Sequence, residues 1–304
     1  MGLFGDSENS AEPDRGTNDV GAVAQFRIHP ANVKSIVAFA SARGGAGKSS
    51  LAVNLAVAMA LKGRKVGILD ADLGAPCIAT MLGMRRIQAF QATGVIEPAA
   101  GPLGLRVIGS DLLNNGSHPI SVFESDETAP EPQAPAALTD VEKLNRMPAE
   151  TRFGALDLLF IDLPAGLDHF KRIAALADLS GVVFVTQSTD LALRGTRSAV
   201  EAAAESSTPL LGVVENMTGF YCGHCQSVRP LFPNGDTQGI RRQLESSLLA
   251  RLAFDTRLAE SCDRGVPFVR QYADSPLAKE IGALAERIEQ ALAARVQTAN
   301  AAPA

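Results

Sequence analysis

Residues 41–50, SARGGAGKSS, combine glycines, a lysine and a serine in an order that can bind phosphate. A loop of this kind points successive backbone N–H groups at an anion, at the N-terminus of the following helix. Its glycines allow close approach, Lys48 would neutralise the β- and γ-phosphates, and Ser49 would offer its hydroxyl to Mg²⁺. The residues that we assign to nucleotide binding here are Ala42, Arg43, Gly44, Gly45, Ala46, Gly47, Lys48, Ser49 and Ser50.

The segments that flank this loop supply the context that the motif requires. The usual pattern G-x-x-x-x-G-K-[ST] is met except at its first position, which is Ala42. An apolar, strand-like run precedes the loop, and an apolar helical run over 48–62, closed by Gly63, follows it. A simple glycine-rich turn would not need this strand–loop–helix order, so we interpret the segment as a phosphate loop.

Three aspartates follow other apolar runs. ILDADLGAP places Asp70 and Asp72 at one strand end, and LLFIDLPAG places Asp162 at another. In a parallel sheet these ends face the crevice where ligands bind. We predict that Asp70 supports the loop and metal, that Asp72 reaches the attacking water, and that Asp162 holds Mg²⁺ through water.

Two cysteines, Cys222 and Cys225, form a C-x-x-C pair that can grip one metal and leave it half-ligated. A second copy across a two-fold axis would complete four sulfurs, as in a bridging [4Fe–4S] cluster or a Cys₄ zinc site. A redox dithiol and an incidental pair are the other interpretations. We expect His224 to face solvent, and Cys77 and Cys262 to be small buried apolar groups.

Apolar runs alternate with helical stretches along most of the chain. Strands that are continuously apolar are buried on both faces, which indicates a parallel sheet covered by helices. We therefore predict an α/β, doubly wound P-loop NTPase fold with a mostly parallel sheet. The predicted strands lie at 36–40, 65–69, 105–108, 156–161, 182–186 and 210–214.

Composition excludes several classes of function. The net charge of −5 gives no global basic field for nucleic acid, and 5% aromatic residues make base-stacking platforms improbable. No apolar stretch reaches the length of a membrane span, and the polar N-terminus lacks the pattern of a secretory signal. Four cysteines are too few for a disulfide scaffold, so we expect a cytoplasmic protein.

We divide the chain into one ATPase domain with flexible ends. We expect a disordered arm over 1–33, a domain over 34–293, an acidic, proline-rich insertion at about 114–150 and a flexible tail over 294–304. Ser275-Pro276 begins the last helix, whose apolar stripe we expect to pack on the sheet rather than on a membrane. That stripe comprises Leu277, Ile281, Leu284, Ile288 and Leu292.

ARGGAGKSS resembles the deviant Walker A motif, K-G-G-x-G-K-[ST], of the ParA/MinD/Mrp class. In that class the cation before the glycine pair crosses the interface of an ATP-sandwich dimer. The resemblance implies the same role for Arg43, with arginine in place of lysine. Arginine keeps the charge but is longer and planar, so it would either act as a finger on the transferring phosphoryl group or slow hydrolysis.

LLGVVENMTGFYCGHC resembles the Mrp/Nbp-type iron–sulfur carrier ATPases, as does LLARLAFDTRLAESCDRGVPFV downstream. The resemblance implies that Asn216 reads adenine and that Asp255 lies near the base. It also implies ATP, Mg²⁺ and a [4Fe–4S] cluster, with zinc as the alternative, in a homodimer that serves apoprotein clients and cluster scaffold proteins. DLPAGLD is shorter than the family's DLPPGTGD, which marks a divergent member.

The function that we predict is ATP-dependent binding and transfer of iron–sulfur clusters, with Arg43, Lys48 and Asp72 in slow ATP hydrolysis. Two other hypotheses remain open at this stage. One is a MinD- or ParA-like positioning ATPase, which leaves the cysteine pair without a role. The other is a nucleotide-gated scaffold with little turnover.

Overall fold

The computed structural model describes residues 30–84, 89–92, 95–115, 118–119, 147, 150–232, 242, 244 and 248–301. Most of the proline-rich segment that we expect at about 114–150, and residues 1–29 of the expected N-terminal arm, lie outside these ranges. The element bounds and counts that follow refer to this described part of the chain.

Eight strands form the central sheet, in the spatial order β14-β11-β10-β1-β9-β2-β6-β5. All neighbours pair in parallel except β5, which runs antiparallel to β6 at the edge. The strands of this sheet are β1 Val33–Ala40, β2 Val66–Asp70, β5 Ala99–Ala100, β6 Arg106–Ile108, β9 Leu156–Asp162, β10 Gly181–Gln187, β11 Leu210–Asn216 and β14 Leu248–Arg251.

Consecutive residues along the middle strands are buried, which indicates that both faces of the sheet are covered by helices. The first helix contacts β1, β2 and β9 and also packs on the last two helices, whereas the fourth packs on β10 and β11. The helices are α1 Lys48–Leu61, α2 Ile78–Met81, α3 Leu167–Leu176, α4 Asp190–Glu205, α5 Thr256–Arg264, α6 Phe268–Gln271 and α7 Pro276–Ala301.

Two smaller sheets accompany the central one. The first is the antiparallel hairpin of β12 Gly219–Cys222 and β13 Ser227–Pro230, which carries the two cysteines. The second has the order β4-β3-β7-β8, from β3 Ala89–Ala92, β4 Val95–Glu97, β7 Leu113–Asn115 and β8 His118–Pro119.

The last helix confirms the core role of its apolar stripe. Leu277, Ile281, Leu284, Ile288 and Leu292 are all buried, and Ser275 accepts a hydrogen bond from Ala278 N at 3.2 Å as its cap. The helix continues to Ala301, past residue 293 where we placed the domain end, in an alanine-rich segment of high helix propensity. In the described part of the chain, no helix is long and apolar enough to span a membrane.

The parallel order brings the strand ends that matter to one edge of the sheet. Asp70 at the end of β2 is directly opposite Asp162 at the end of β9. Thr186 and Gln187, which end β10, lie beside Glu215 and Asn216, which end β11. The loop between β1 and α1 opens at the same edge, so these side chains surround it.

Candidate functional site

The loop of residues 41–47 takes the conformation that a phosphate loop needs. Gly45 and Gly47 have φ angles of 76° and 81°, in the left-handed region that glycine tolerates. A Cβ added at Gly47 would collide with the side-chain nitrogen of Asn216. Open space lies on the side of Gly44 and Gly45 where a Cβ would project. The loop is therefore packed tightly at Gly47 and open at its leading glycines.

A buried ion pair joins the base of this loop to the sheet. Lys48 Nζ lies 2.6 Å from Asp162 Oδ1 and donates to Ser49 Oγ at 3.3 Å. Burial raises the pKa of Asp162, and the charge of Lys48 opposes that rise. The other oxygen, Asp162 Oδ2, is buried and has no hydrogen-bond partner among the described residues. A carboxylate oxygen without a partner beside a serine hydroxyl is the kind of donor set that Mg²⁺ uses.

Asp70 is occupied by backbone groups. Its carboxylate accepts from the backbone N–H of Asp72 at 3.1 Å, Cys77 at 2.8 Å and Ile78 at 3.0 Å, and so caps α2. Burial, with a smaller effect of the nearby Asp162 charge, raises the pKa of Asp70 to about 7. Asp72 lies beyond the strand, is half-buried and accepts from Ala75 N at 3.1 Å. Its side chain thus belongs to the loop after β2.

Two amide side chains fasten the phosphate loop from the neighbouring strand ends. Asn216 Nδ2 donates to the carbonyl of Ala46 at 2.8 Å, and Gln187 Nε2 donates to the carbonyl of Gly45 at 3.1 Å. The family resemblance assigned Asn216 to adenine recognition, which stays a prediction, and Gln187 was not predicted. A glutamine that ends a strand carries no motif, so only the parallel register of β10 and β11 could have suggested it.

Arg43 is exposed at the leading edge of the loop. It makes no ion pair or hydrogen bond with any residue that the structure describes, so no acidic side chain of the described residues accounts for it. Two other residues of the segment 41–50 have contacts within the subunit. Ala42 packs beside Gly195 of α4, and the carbonyl of Ser50 accepts a hydrogen bond from Asn54 Nδ2 at 2.8 Å.

The cysteine pair lies at the tip of the β12–β13 hairpin. Cys222 ends β12 and pairs with Ser227, while Cys225 is in the exposed turn between the strands. Cys225 Sγ lies 2.9 Å from Ser227 Oγ. Hydrogen bonds from Ser227, with a further one from Cys222, lower the pKa of the Cys225 thiol. His224 is exposed, as expected.

This hairpin alone does not form a complete metal site. Within the described ranges, no group of three or more His, Cys, Asp or Glu side chains is arranged to hold a metal ion. The cysteines do not begin a helix, which is the setting that would favour a redox dithiol. A metal held by these two thiols would therefore need further ligands from outside the described residues.

Asp255 forms a helix cap and an ion pair with Arg257. It caps α5 by accepting from Arg257 N at 3.0 Å and binds the Arg257 side chain with both oxygens, at 3.0 and 2.7 Å. The guanidinium of Arg257 lies over the rings of Tyr221 and Tyr272, at 5.7 and 4.8 Å from their centres. The structure thus links Asp255 to the cysteine hairpin, and its contact with a base stays a prediction.

The other two cysteines differ from each other. Cys262 is buried, as expected. Cys77, which we expected to be a buried apolar group, is only half-buried and lies beside Ser49 of the phosphate loop. Burial and the charge of Asp70 raise the pKa of Cys77 to about 11, so at neutral pH it is a thiol.

A glycine loop between a buried strand and a helix, with a lysine paired to the aspartate of the adjacent strand, defines a P-loop NTPase. The chain belongs to the ParA family of NUBPL-type iron-transfer P-loop NTPases, whose profile matches residues 32–289. This membership confirms the resemblance to Mrp/Nbp-type proteins and the fold class.

Individual relatives agree with this assignment. The chain is 32% identical over 275 residues to an iron–sulfur cluster carrier protein of Methanococcus maripaludis, covering 88% of this chain and 90% of that one. A nucleotide-binding protein of Archaeoglobus fulgidus, solved with ADP, superposes with a TM-score of 0.65 at 26% identity, covering 82% and 92%. MinD of Pyrococcus horikoshii with Mg-ADP, at 20% identity and a TM-score of 0.59 over 84% and 96%, shares the fold.

The environments of the cysteines predict a clear order of reactivity. In the metal-free protein without nucleotide at pH 7, we expect iodoacetamide to modify Cys225 faster than Cys77 and Cys262, because thiolates react and burial disfavours them. Ser227→Ala should slow the alkylation of Cys225 severalfold, because it removes the hydrogen bond to that thiol. Ser206→Ala, at the C-terminal end of α4, should leave the rate unchanged. Site-resolved mass spectrometry measures each rate. Equal rates at Cys225 in both variants would contradict the role of Ser227.

Proposed function

We propose that this protein is an ATP-dependent carrier of iron–sulfur clusters, which it holds between two copies of the chain and delivers to apoproteins. The observation that carries the proposal is the exposed hairpin with two adjacent thiols, next to the strand end that fastens the phosphate loop. Relatives of similar length are named as iron–sulfur cluster carriers, which supports the assignment of the cargo.

The cysteine pair supports a shared site. Two thiolates satisfy half of the four sulfurs that a [4Fe–4S] cluster or a Cys₄ zinc ion takes. A two-fold axis beside the hairpin would bring the same two residues from the partner, since such interfaces repeat one surface on both subunits. The exposure of Cys225 and the lowered pKa of its thiol suit a site that must accept and release its cargo.

The nucleotide site has the groups that bind a polyphosphate. Backbone N–H groups of the loop and Lys48 would hold the phosphates, while Ser49 and Asp162 would hold Mg²⁺. Mg²⁺, when bound, neutralises charge that develops on the phosphoryl oxygens. Lys48 is paired with Asp162, and phosphate would offer it a second anionic partner. Asp72 remains our candidate for orienting the attacking water.

Arg43 fits a role between subunits. It is exposed beside the open glycines and makes no ion pair or hydrogen bond with a described residue of its own subunit. A guanidinium in that place can reach the phosphates of a facing subunit and stabilise charge in the transition state. Slow ATP hydrolysis by a homodimer follows from this arrangement as part of the proposal.

The membrane-positioning alternative finds no support in the last helix. Such a protein needs an amphipathic surface that can lie on a membrane. The apolar stripe of α7, the strongest candidate in the sequence, packs against the core instead. That alternative also gives the hairpin cysteines no role.

The metal half of the proposal is tested by anaerobic reconstitution with iron and sulfide. Wild-type protein should bind iron with sulfide and shift to dimer mass, because four thiolates come from two chains. Cys222→Ser and Cys225→Ser should each lose both the iron and the iron-dependent dimer. Cys262→Ser, at a buried site away from the hairpin, is the matched control and should behave as wild type. Iron analysis and light scattering provide the measurements, and full iron content in Cys222→Ser would refute the shared site.

The nucleotide half is tested by titration with a fluorescent ATP analogue. Lys48→Ala removes a charge-assisted phosphate contact and should weaken binding by about 1.5–3 kcal/mol, or at least about tenfold. Lys62→Ala, which removes an exposed ion pair with Glu286 and a hydrogen bond to the carbonyl of Gly282, is the control and should bind normally. Melting temperatures recorded for both variants separate lost folding from lost binding. Unchanged affinity in folded Lys48→Ala would refute the phosphate-loop assignment.

A further inference from the structure

The side-chain amides of Gln187 and Asn216 donate hydrogen bonds to two consecutive peptide groups of the phosphate loop. Gln187 holds the carbonyl of Gly45, and Asn216 holds the carbonyl of Ala46. Each peptide group is planar, so the carbonyl of Gly45 is rigidly joined to the N–H of Ala46, and that of Ala46 to the N–H of Gly47. These N–H groups belong to the part of the loop that would bind phosphate. Any rotation of these peptides on phosphate binding therefore acts directly on Gln187 and Asn216.

Met217 connects both amides to the segment that follows. Its Sδ lies 3.3 Å from Gln187 Nε2, and its backbone N–H donates to Asn216 Oδ1 at 3.0 Å. Met217 also has a φ angle of 56°, a left-handed conformation that is uncommon for a residue other than glycine. Backbone in this region persists only where the surrounding contacts hold it. We call Gln187, Asn216 and Met217 the amide clasp.

The segment between the amide clasp and the cysteine hairpin is short and is held by hydrogen bonds. Thr218 is tied to the carbonyl of Leu252 by its N–H at 2.9 Å and its hydroxyl at 3.1 Å. Gly219 then begins β12, which ends at Cys222. On its other side the hairpin is held by Phe254, which exchanges backbone hydrogen bonds with Gly219 and Tyr221. The hairpin is thus attached to the clasp and to the segment around Leu252 and Phe254.

We infer that the amide clasp couples the two sites: phosphate binding at the loop changes the position and mobility of the cysteine hairpin through Gln187, Asn216 and Met217. Gln187 and Met217 are positioning residues in this account, since they act through the loop peptides and the hairpin. The inference rests on the nucleotide-binding half of the proposed function and does not require that the cargo be a cluster. If nucleotide changes the affinity of the cysteines for metal by a given factor, reciprocity of linked equilibria requires that metal on the cysteines change the nucleotide affinity by the same factor.

The test measures alkylation of Cys222 and Cys225 in the metal-free full-length chain, with and without saturating Mg-ADP. Mg-ADP, which lacks the γ-phosphate, is used so that nucleotide binding does not itself drive dimer formation, which would mask the thiols. Light scattering on the same samples verifies that the mass does not change. Four proteins are compared: wild type, Gln187→Met, Met217→Ala and Gln290→Met. Gln290 is an exposed residue of α7 and provides the same substitution away from both sites. Saturation is established for each protein with a fluorescent ADP analogue.

We expect Mg-ADP to change the alkylation rates of the hairpin cysteines by about fivefold or more in wild type and Gln290→Met, because these rates follow the population of hairpin conformations that expose the thiols. Gln187→Met loses the donor to Gly45, and Met217→Ala loses the thioether, so the effect should fall below about twofold in both. Wild-type rates that do not respond to bound Mg-ADP would overturn the inference, as would full coupling in both clasp variants. Failure of wild type to bind the nucleotide analogue would instead refute the proposed nucleotide function.

Discussion

The buried pair of Lys48 and Asp162 is the interaction on which the site depends. It joins the first residue of α1 to the last residue of β9, where a bare charge would be strongly disfavoured. Removing either partner of such a pair typically costs about 3–5 kcal/mol, because the other is left buried without compensation. The pair therefore fixes the base of the loop to the sheet, and it leaves one carboxylate oxygen of Asp162 without a partner among the described residues.

The arrangement around this pair joins two kinds of chemistry in one chain. Parallel strands deliver their carboxyl ends to one edge of the sheet, so acidic and amide side chains surround a single loop. One of those strands, β11, continues beyond Asn216 into the hairpin that carries the cysteines. Proximity of the phosphate loop and the thiols is thus a consequence of topology. Their communication requires specific contacts, and the amide clasp supplies them.

The sequence predicted the elements with strong patterns. Six apolar runs correspond to β1, β2, β6, β9, β10 and β11, and the stripe of α7 was assigned correctly to the core. It did not predict the short strand β14, which lacks a long apolar run and gains its pairing from β11. Short strands of this kind form because a neighbouring strand offers free hydrogen-bonding groups, which is a property of the fold rather than of the segment.

Roles that depend on partners distant along the chain could also not be predicted from the sequence. Gln187 carries no motif, and its function follows from the register that places it beside Asn216. Asp70 matched the expected strand end, yet it caps α2 because Cys77 and Ile78 turn their N–H groups toward it. Cys77 was expected in the core, and the same turn places it beside Ser49 instead.

The central claim is that one chain links nucleotide binding to a cargo held by Cys222 and Cys225. Its most direct test is the rate at which an iron chelator removes iron from anaerobically reconstituted protein, measured with and without saturating Mg-ATP. The account predicts a clear difference between the two rates in wild type and a much smaller one in Met217→Ala. Identical rates in wild type, at nucleotide concentrations shown to saturate the site, would contradict it.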